Sequence, residues 1–105
     1  MTTGIKMLNN ENAWSDWLDF NEQTISKIPR SAGVYMMHAS MKILFIGGSE
    51  NIKDSIQDKE KEQCITKATR VRYMQTSSYE QIADDLIKDY RDRHEGKLPQ
   101  CMQNA

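Results

Sequence analysis

Residues 33–48 read Gly-Val-Tyr-Met-Met-His-Ala-Ser-Met-Lys-Ile-Leu-Phe-Ile-Gly-Gly, and this stretch decides the fold of the chain. Two apolar runs, 32–37 and 42–47, are separated by the four residues 38–41. Apolar runs on either side of so short a gap predict a β-hairpin with a loop of about four residues. The second run is apolar at consecutive positions, so we expect both of its faces to be covered.

Helical patterns precede the hairpin. Trp14, Trp17 and Phe20 recur every three residues, which predicts a helical turn or two whose aromatic face covers the core. A second short helix is expected over residues 21–27, and Pro29 should end it because the residue before a proline avoids the helical conformation.

Beyond the hairpin the pattern predicts a helix, a strand and a long helix. The first helix should place Ile52 and Ile56 on its inner face. A third strand fits residues 68–76, and a capping box at 77–80 begins the long helix. The mixed-sign run 58–62 is expected to be a solvated helix face. These elements predict an α/β protein of the α+β type, with a small antiparallel three-stranded sheet flanked by helices.

Length and composition fit one small domain. The chain has 105 residues, of which 38% are hydrophobic and 28% charged, as in soluble globular proteins. We expect a flexible segment over 1–12, a single domain over 13–102 and a tail over 103–105. The apolar runs are too short to span a bilayer and no secretory signal is visible, so no membrane partner is expected.

The cysteines also bear on the compartment. Cys64 and Cys101 are too few for a disulfide-stapled scaffold, and we expect buried free thiols, although the fold could bring the two together. The composition therefore predicts a reduced, cytoplasmic protein. His38 and His94 have no cysteine or carboxylate partners at metal-ligand spacing, so neither is expected to bind a metal.

Charge gives little support to nucleic-acid binding. The net charge is −1, whereas proteins that bind nucleic acid usually carry a basic excess because phosphate contacts supply much of their affinity. The best candidate patch consists of Arg30, Lys67, Arg70 and Arg72, with Arg70 and Arg72 on one face of the third strand. Ordinary surface charge is the competing interpretation of these residues.

Three short motifs follow one another at a fixed spacing. Gly33-Val34-Tyr35 comes first, and Phe45-Ile46-Gly47 begins ten residues after Tyr35. Asn51-Ile52 then begins the next helix. The lead-in ends in Ile28-Pro29, and residues 94–102 read His-Glu-Gly-Lys-Leu-Pro-Gln-Cys-Met. Over roughly 14–102 this order resembles a small, single-domain prokaryotic subgroup of the GIY-YIG nuclease superfamily. The resemblance implies a GIY-YIG-like fold.

The resemblance also implies a site. In the superfamily, two strand tyrosines, a helix arginine, a glutamate on the last helix and a late asparagine surround one divalent metal. Those positions are occupied here by Tyr35, Phe45, Ser55, Ala83 and Met102. A phenyl ring has no exchangeable proton, serine has no charge, and alanine cannot bind Mg²⁺. The resemblance therefore implies a retained scaffold with no catalytic residues, no metal and no cofactor.

Two functions follow from this comparison of positions. The first is a catalytically inactive binding module for nucleic acid, such as DNA, or for a protein partner. The alternative is a Mg²⁺-dependent DNA endonuclease whose site is displaced to Tyr35, Asp84 and Lys53, with Asp84 as the metal ligand. A homodimer with a structural role is a third hypothesis.

Overall fold

The predicted hairpin is the centre of the fold. The structure is a computed structural model that describes residues 13–103, so the predicted flexible segment 1–12 and residues 104–105 of the predicted tail lie outside it. Strands β2 (Gly33–Ala39) and β3 (Lys42–Ser49) pair antiparallel. The predicted four-residue loop is wrong, because only Ser40 and Met41 connect the strands. Both have a positive φ, 51° and 68°, as a type I′ turn requires.

The sheet has four strands in the order β1-β4-β2-β3, rather than the three predicted. Strand β1 (Leu18–Asp19) pairs antiparallel with β4 (Arg70–Gln75), and Trp14 bridges to Met74. The predicted aromatic helix over this segment is therefore wrong. The extended chain instead pairs with the backbone N–H and C=O groups that β4 would otherwise leave unpaired at an edge. The α+β class, with an antiparallel sheet flanked by helices, is confirmed.

The helices follow the predicted pattern closely. Helix α1 (Glu22–Lys27) begins at Asn21, whose side chain accepts a hydrogen bond from the Thr24 N–H, and it ends before Pro29 as predicted. Helix α2 (Ile52–Lys59) begins at Asn51, whose side chain accepts from the Asp54 N–H. Buried Ile52 and Ile56 confirm its predicted inner face.

Helix α3 (Tyr79–Arg93) begins without the predicted capping box. Ser78 stands at its N-cap with no side-chain hydrogen bond, and the Thr76 hydroxyl accepts from the Ser78 N–H instead. The chain leaves the helix at Gly96, whose φ of +84° is easy only for glycine. A 3₁₀ turn over Ile65–Lys67 precedes β4, and another over Gln100–Met102 ends the described chain.

The sheet has two covered faces. On the first, which we call the tyrosine face, Tyr35, Met37 and Val71 pack with residues of α1 and α2. On the second, the arginine face, Val34 and Met74 pack against Ala83 of α3, with Trp14 and Leu86 at the margin. Burial on both sides explains why β3 is apolar at consecutive positions. No helix in the described range is long and apolar enough to span a membrane.

Cys64 and Cys101 form a disulfide, so the prediction of free thiols is wrong. Their Cα atoms lie 5.7 Å apart, within the range that a disulfide needs. Cys101 lies in the final 3₁₀ turn and packs against the tyrosine-face core, which brings it beside Cys64. The bond therefore ties the C-terminal segment to the loop that follows α2.

Reducing this disulfide should lower the free energy of unfolding by about 2–4 kcal/mol, because the bond closes a loop between residues 37 apart and so restricts the unfolded chain. Urea unfolding followed by circular dichroism, with and without a phosphine reductant, measures the difference. The double variant Cys64→Ala/Cys101→Ala is the control and should be insensitive to reductant. Equal unfolding midpoints for oxidised and reduced protein would contradict the prediction.

Candidate functional site

Tyr35 lies at the centre of the tyrosine face and is 1% exposed. Its hydroxyl is 2.6 Å from the Ser55 hydroxyl of α2, a distance at which either group can donate the hydrogen bond. Ser55 lies one turn into the helix that Asn51 caps, and its N–H bonds the Asn51 carbonyl. The structure thus brings Tyr35 together with the residue that stands where the resemblance placed an arginine.

Phe45 closes the other side of the tyrosine. The two rings meet edge to face, with their centroids 5.7 Å apart. Gly47 allows this approach, because a Cβ atom there would lie 2.5 Å from the Phe45 ring and 3.1 Å from the Tyr35 ring. A phenyl ring and a serine hydroxyl therefore border the phenol, and neither carries a positive charge that could balance the charge of a phosphate.

The environment of Tyr35 keeps it protonated. Burial raises the pKa of its hydroxyl to about 12, the hydrogen bond with Ser55 offsets part of that rise, and the carboxylates of Glu62 and Asp58 add to it. A general base works best when its pKa lies near the pH of the reaction. At neutral pH the raised pKa favours the protonated phenol, which is a hydrogen-bonding residue of the core.

Lys59 is a cation beside Phe45 that sequence reasoning missed. Its Nζ lies 4.4 Å from the centroid of the Phe45 ring and 3.0 Å from a Glu62 carboxylate oxygen. Its side chain is 28% exposed, so the run 58–62 is only partly the solvated face that was predicted. The signal was present in the sequence, because Lys59 follows Ser55 by four residues and so shares its face of the helix.

Ala83 and the turn that carries Met102 both lie against β3. Ala83 is buried on the arginine face, where a Cβ atom at Gly48 would lie 3.1 Å from the Ala83 methyl carbon. Met102 lies half-buried in the final 3₁₀ turn, which packs against β3. Consecutive glycines therefore face opposite sides, Gly47 toward the two rings and Gly48 toward α3.

The described residues do not fit the divalent metal that the fold implies. Mg²⁺ takes oxygen ligands, chiefly carboxylates and water. No group of three or more His, Cys, Asp or Glu that could hold a metal ion occurs among residues 13–103. Of the carboxylates that act on Tyr35, Glu62 is bound by Lys59 and Asp58 is exposed. Ala83, where the resemblance implies a glutamate, lies on the opposite face of the sheet from Tyr35.

The residues of the alternative site are not brought together. Lys53 donates a hydrogen bond from its Nζ to the Ser26 carbonyl, 2.9 Å away beside α1. Asp84 is exposed on α3, where it lines a shallow groove with Lys88 and Arg91. Neither residue is among the groups that shift the pKa of Tyr35.

The candidate basic patch is divided and largely neutralised. Arg30 pairs with Asp54 beside α2, and Arg70 pairs with Asp19 of β1 at 2.6 Å. Arg72 shares a strand face with Arg70, as predicted, but its guanidinium lies between two indoles, 4.4 Å from the Trp14 ring and 4.8 Å from the Trp17 ring. Lys67 is exposed in the first 3₁₀ turn. Three of the four cations therefore have intramolecular partners.

The sequence matches, over residues 12–93, the family described as Domain of unknown function (DUF7508). The chain belongs to this family. No functionally curated protein is significantly similar in sequence. The match covers the Tyr35 site and the whole of α3.

Similar solved structures place this DUF7508 domain in a known fold. One is the GIY-YIG N-terminal endonuclease domain of UvrC from Thermotoga maritima, as a tyrosine-to-phenylalanine point mutant bound to its catalytic divalent cation. It is 18% identical, with a TM-score of 0.59 over 75% of this chain and 90% of that one. The same domain bound to magnesium is 15% identical, with a TM-score of 0.56 over 75% and 91%. The GIY-YIG-like fold implied by the sequence motifs is confirmed.

Between about pH 10 and pH 12, Tyr35 should make the protein progressively less stable. An unfolded tyrosine ionises near 10 and this buried one at about 12, so the unfolded state loses its proton first. The stabilisation is complete below pH 10 and is lost, at up to about 1.4 kcal/mol per pH unit, as the pH rises toward 12.

Urea unfolding of the wild type and of Tyr35→Phe across this pH range isolates the effect, since every other group titrates in both proteins. The Tyr90→Phe variant retains Tyr35 and is the control. Identical slopes of stability against pH for the wild type and Tyr35→Phe would show that the phenol is not held in its neutral form.

Proposed function

We propose that this DUF7508 domain is a non-catalytic, GIY-YIG-like binding module for nucleic acid or for a protein partner, with residues 13–102 as the functional unit. The observation that carries the proposal is the buried Tyr35 hydroxyl, which is hydrogen-bonded to Ser55 and has its pKa raised to about 12. A tyrosine in this state supplies no base for phosphodiester hydrolysis.

The other groups around Tyr35 do not replace what is missing. Loss of a single charge-stabilising group commonly lowers an enzymatic rate by about a hundredfold or more. Here Ser55 stands where the resemblance implies an arginine, and residues 13–103 hold no group of three or more His, Cys, Asp or Glu that could bind a metal ion. Lys59 is the nearby cation, but its charge is already engaged by the Phe45 ring and by Glu62. Around Tyr35, the described residues 13–103 therefore supply neither a base, nor an unpaired cation, nor a set of metal ligands.

The choice between the two classes of partner rests on fold and charge, which point in different directions. The fold neighbours are endonuclease domains, which supports a nucleic-acid partner. The net charge of −1 and the pairing of Arg30 and Arg70 with carboxylates support a protein partner, because paired cations release fewer counterions on binding DNA. We favour the protein partner on this ground.

Incubation of the protein with duplex, branched or single-stranded DNA and Mg²⁺ or Mn²⁺ should give no cleavage above a metal-free control, because no base or metal ligand set is assembled at Tyr35. Gel electrophoresis of end-labelled substrates measures this. Cleavage abolished by Tyr35→Phe and by Asp84→Ala, but not by the neighbouring Asp85→Ala, would overturn the proposal in favour of the displaced endonuclease site.

Fluorescence anisotropy with the same three forms of DNA at two salt concentrations should show no binding at micromolar protein, since three of the four candidate cations have intramolecular partners. Binding that weakens with salt, and that Lys67→Ala or Arg70→Ala reduces, would assign the nucleic-acid partner instead. Lys88→Ala, on the outer side of α3, is the matched control. Light scattering on the same sample determines whether the domain is a homodimer.

A further inference from the structure

A groove of about 510 Å³ opens on the arginine face, between α3 and the tip of the hairpin. Its apolar lining comes from the hairpin residues Met36, Ile43 and Ile46 and from Leu86 of α3. Met41, in the turn of the hairpin, also lines it and is 96% exposed. The groove and the Tyr35 site lie on opposite faces of the sheet.

The groove carries more positive than negative charge. Lys42, Arg72 and Arg93 line it, together with one carboxylate, Asp89. Asp89 forms an ion pair with Arg93 at 3.3 Å, so its negative charge is already balanced within α3. In the described part of the chain, no carboxylate lies within ion-pair distance of Lys42 or of Arg72. In a chain of net charge −1, this is a local excess of positive charge.

The half-buried Arg72 side chain lacks the hydrogen-bond acceptors that a guanidinium normally has inside a protein. Its Nη2 donates to the sulfur of Met36 at 3.7 Å, a weak acceptor, and its Nε is buried without an acceptor among residues 13–103. Burial lowers the pKa of Arg72, which reflects the cost of holding a charge there without an anion. A carboxylate bound at the groove would relieve that cost.

We propose that this groove binds a peptide segment of a partner protein in which apolar side chains stand next to an aspartate or glutamate. The apolar side chains would pack on Ile46 and Leu86, and the carboxylate would bind Arg72 and Lys42. Met36 and Met41 suit such a surface because the unbranched thioether adapts to different side chains. The inference rests on the proposed binding role, and it names the surface and the class of partner.

The lining favours a peptide over a nucleic acid. Single-stranded nucleic acids bind where aromatic side chains stack on successive bases along a basic groove. The floor here is aliphatic, and the aromatic residue Tyr90 is already stacked on His94, with ring centroids 3.8 Å apart. The two indoles near the groove are likewise occupied by the Arg72 guanidinium.

Selection of a phage-displayed library of random dodecapeptides on the immobilised full chain tests the proposal. Enriched peptides should combine acidic with large apolar residues, and their synthetic fluorescein-labelled forms should bind in anisotropy titrations. The chain contains two tryptophans, and both contact Arg72. Unlabelled peptide should therefore change the intrinsic tryptophan emission as it binds.

Two charge reversals locate the binding. Lys42→Glu changes an exposed residue at the rim of the groove and should weaken peptide binding by about tenfold or more. Lys67→Glu makes the same change in charge outside the groove and should leave binding within about twofold. Arg72→Met should abolish binding. Because Arg72 also packs between the indoles, Lys42→Glu remains decisive if the Arg72 variant fails to fold.

No enrichment, enriched peptides without acidic residues, or equal effects of the two lysine reversals would overturn the groove proposal. So would a homodimer that Lys42→Glu dissociates, since a second copy would then occupy the groove. Binding to DNA without binding to peptides would refute the groove and leave the binding-module function standing. DNA cleavage that depends on Tyr35 would refute the function without bearing on the groove.

Discussion

The packing of Tyr35 against Phe45 over Gly47 is the contact on which the rest of the domain depends. The missing side chain at Gly47 lets the two rings meet edge to face beneath the sheet. Ser55 of α2 then reaches the phenol, which fixes how that helix sits against β2. The arrangement of the hairpin and of α2 around the phenol therefore follows from a single close approach.

The same approach places the Tyr35 phenol in the core of the domain. The phenol is 1% exposed, shares its hydrogen bond with a serine, and is covered by a phenyl ring. Burial of the ring stabilises the fold, and its full effect requires the neutral phenol. The residues around Tyr35 thus strengthen the packing of the tyrosine face.

The strand β3 divides the domain into two surfaces. Gly47 admits the aromatic pair on one side, and Gly48 admits α3 on the other, so side chains from α3 meet the arginine face alone. Ala83 of α3 therefore packs on the arginine face and not on the tyrosine face. The arginine face has its own character, with a guanidinium between two indoles and an apolar groove beside it.

The sequence by itself determined the hairpin, α1 and the inner face of α2, because these depend on local periodicity and on residues close along the chain. The grouping of Tyr35, Phe45 and Ser55 was implied by the resemblance to the GIY-YIG superfamily rather than by local pattern. Only the tertiary structure decided what depends on distant pairing. The aromatic lead-in became a strand because β4 offered an unpaired edge, and Cys64 met Cys101 because the last turn folds back on β3. The contacts of Arg72 with the two indoles likewise join residues more than fifty positions apart in the sequence.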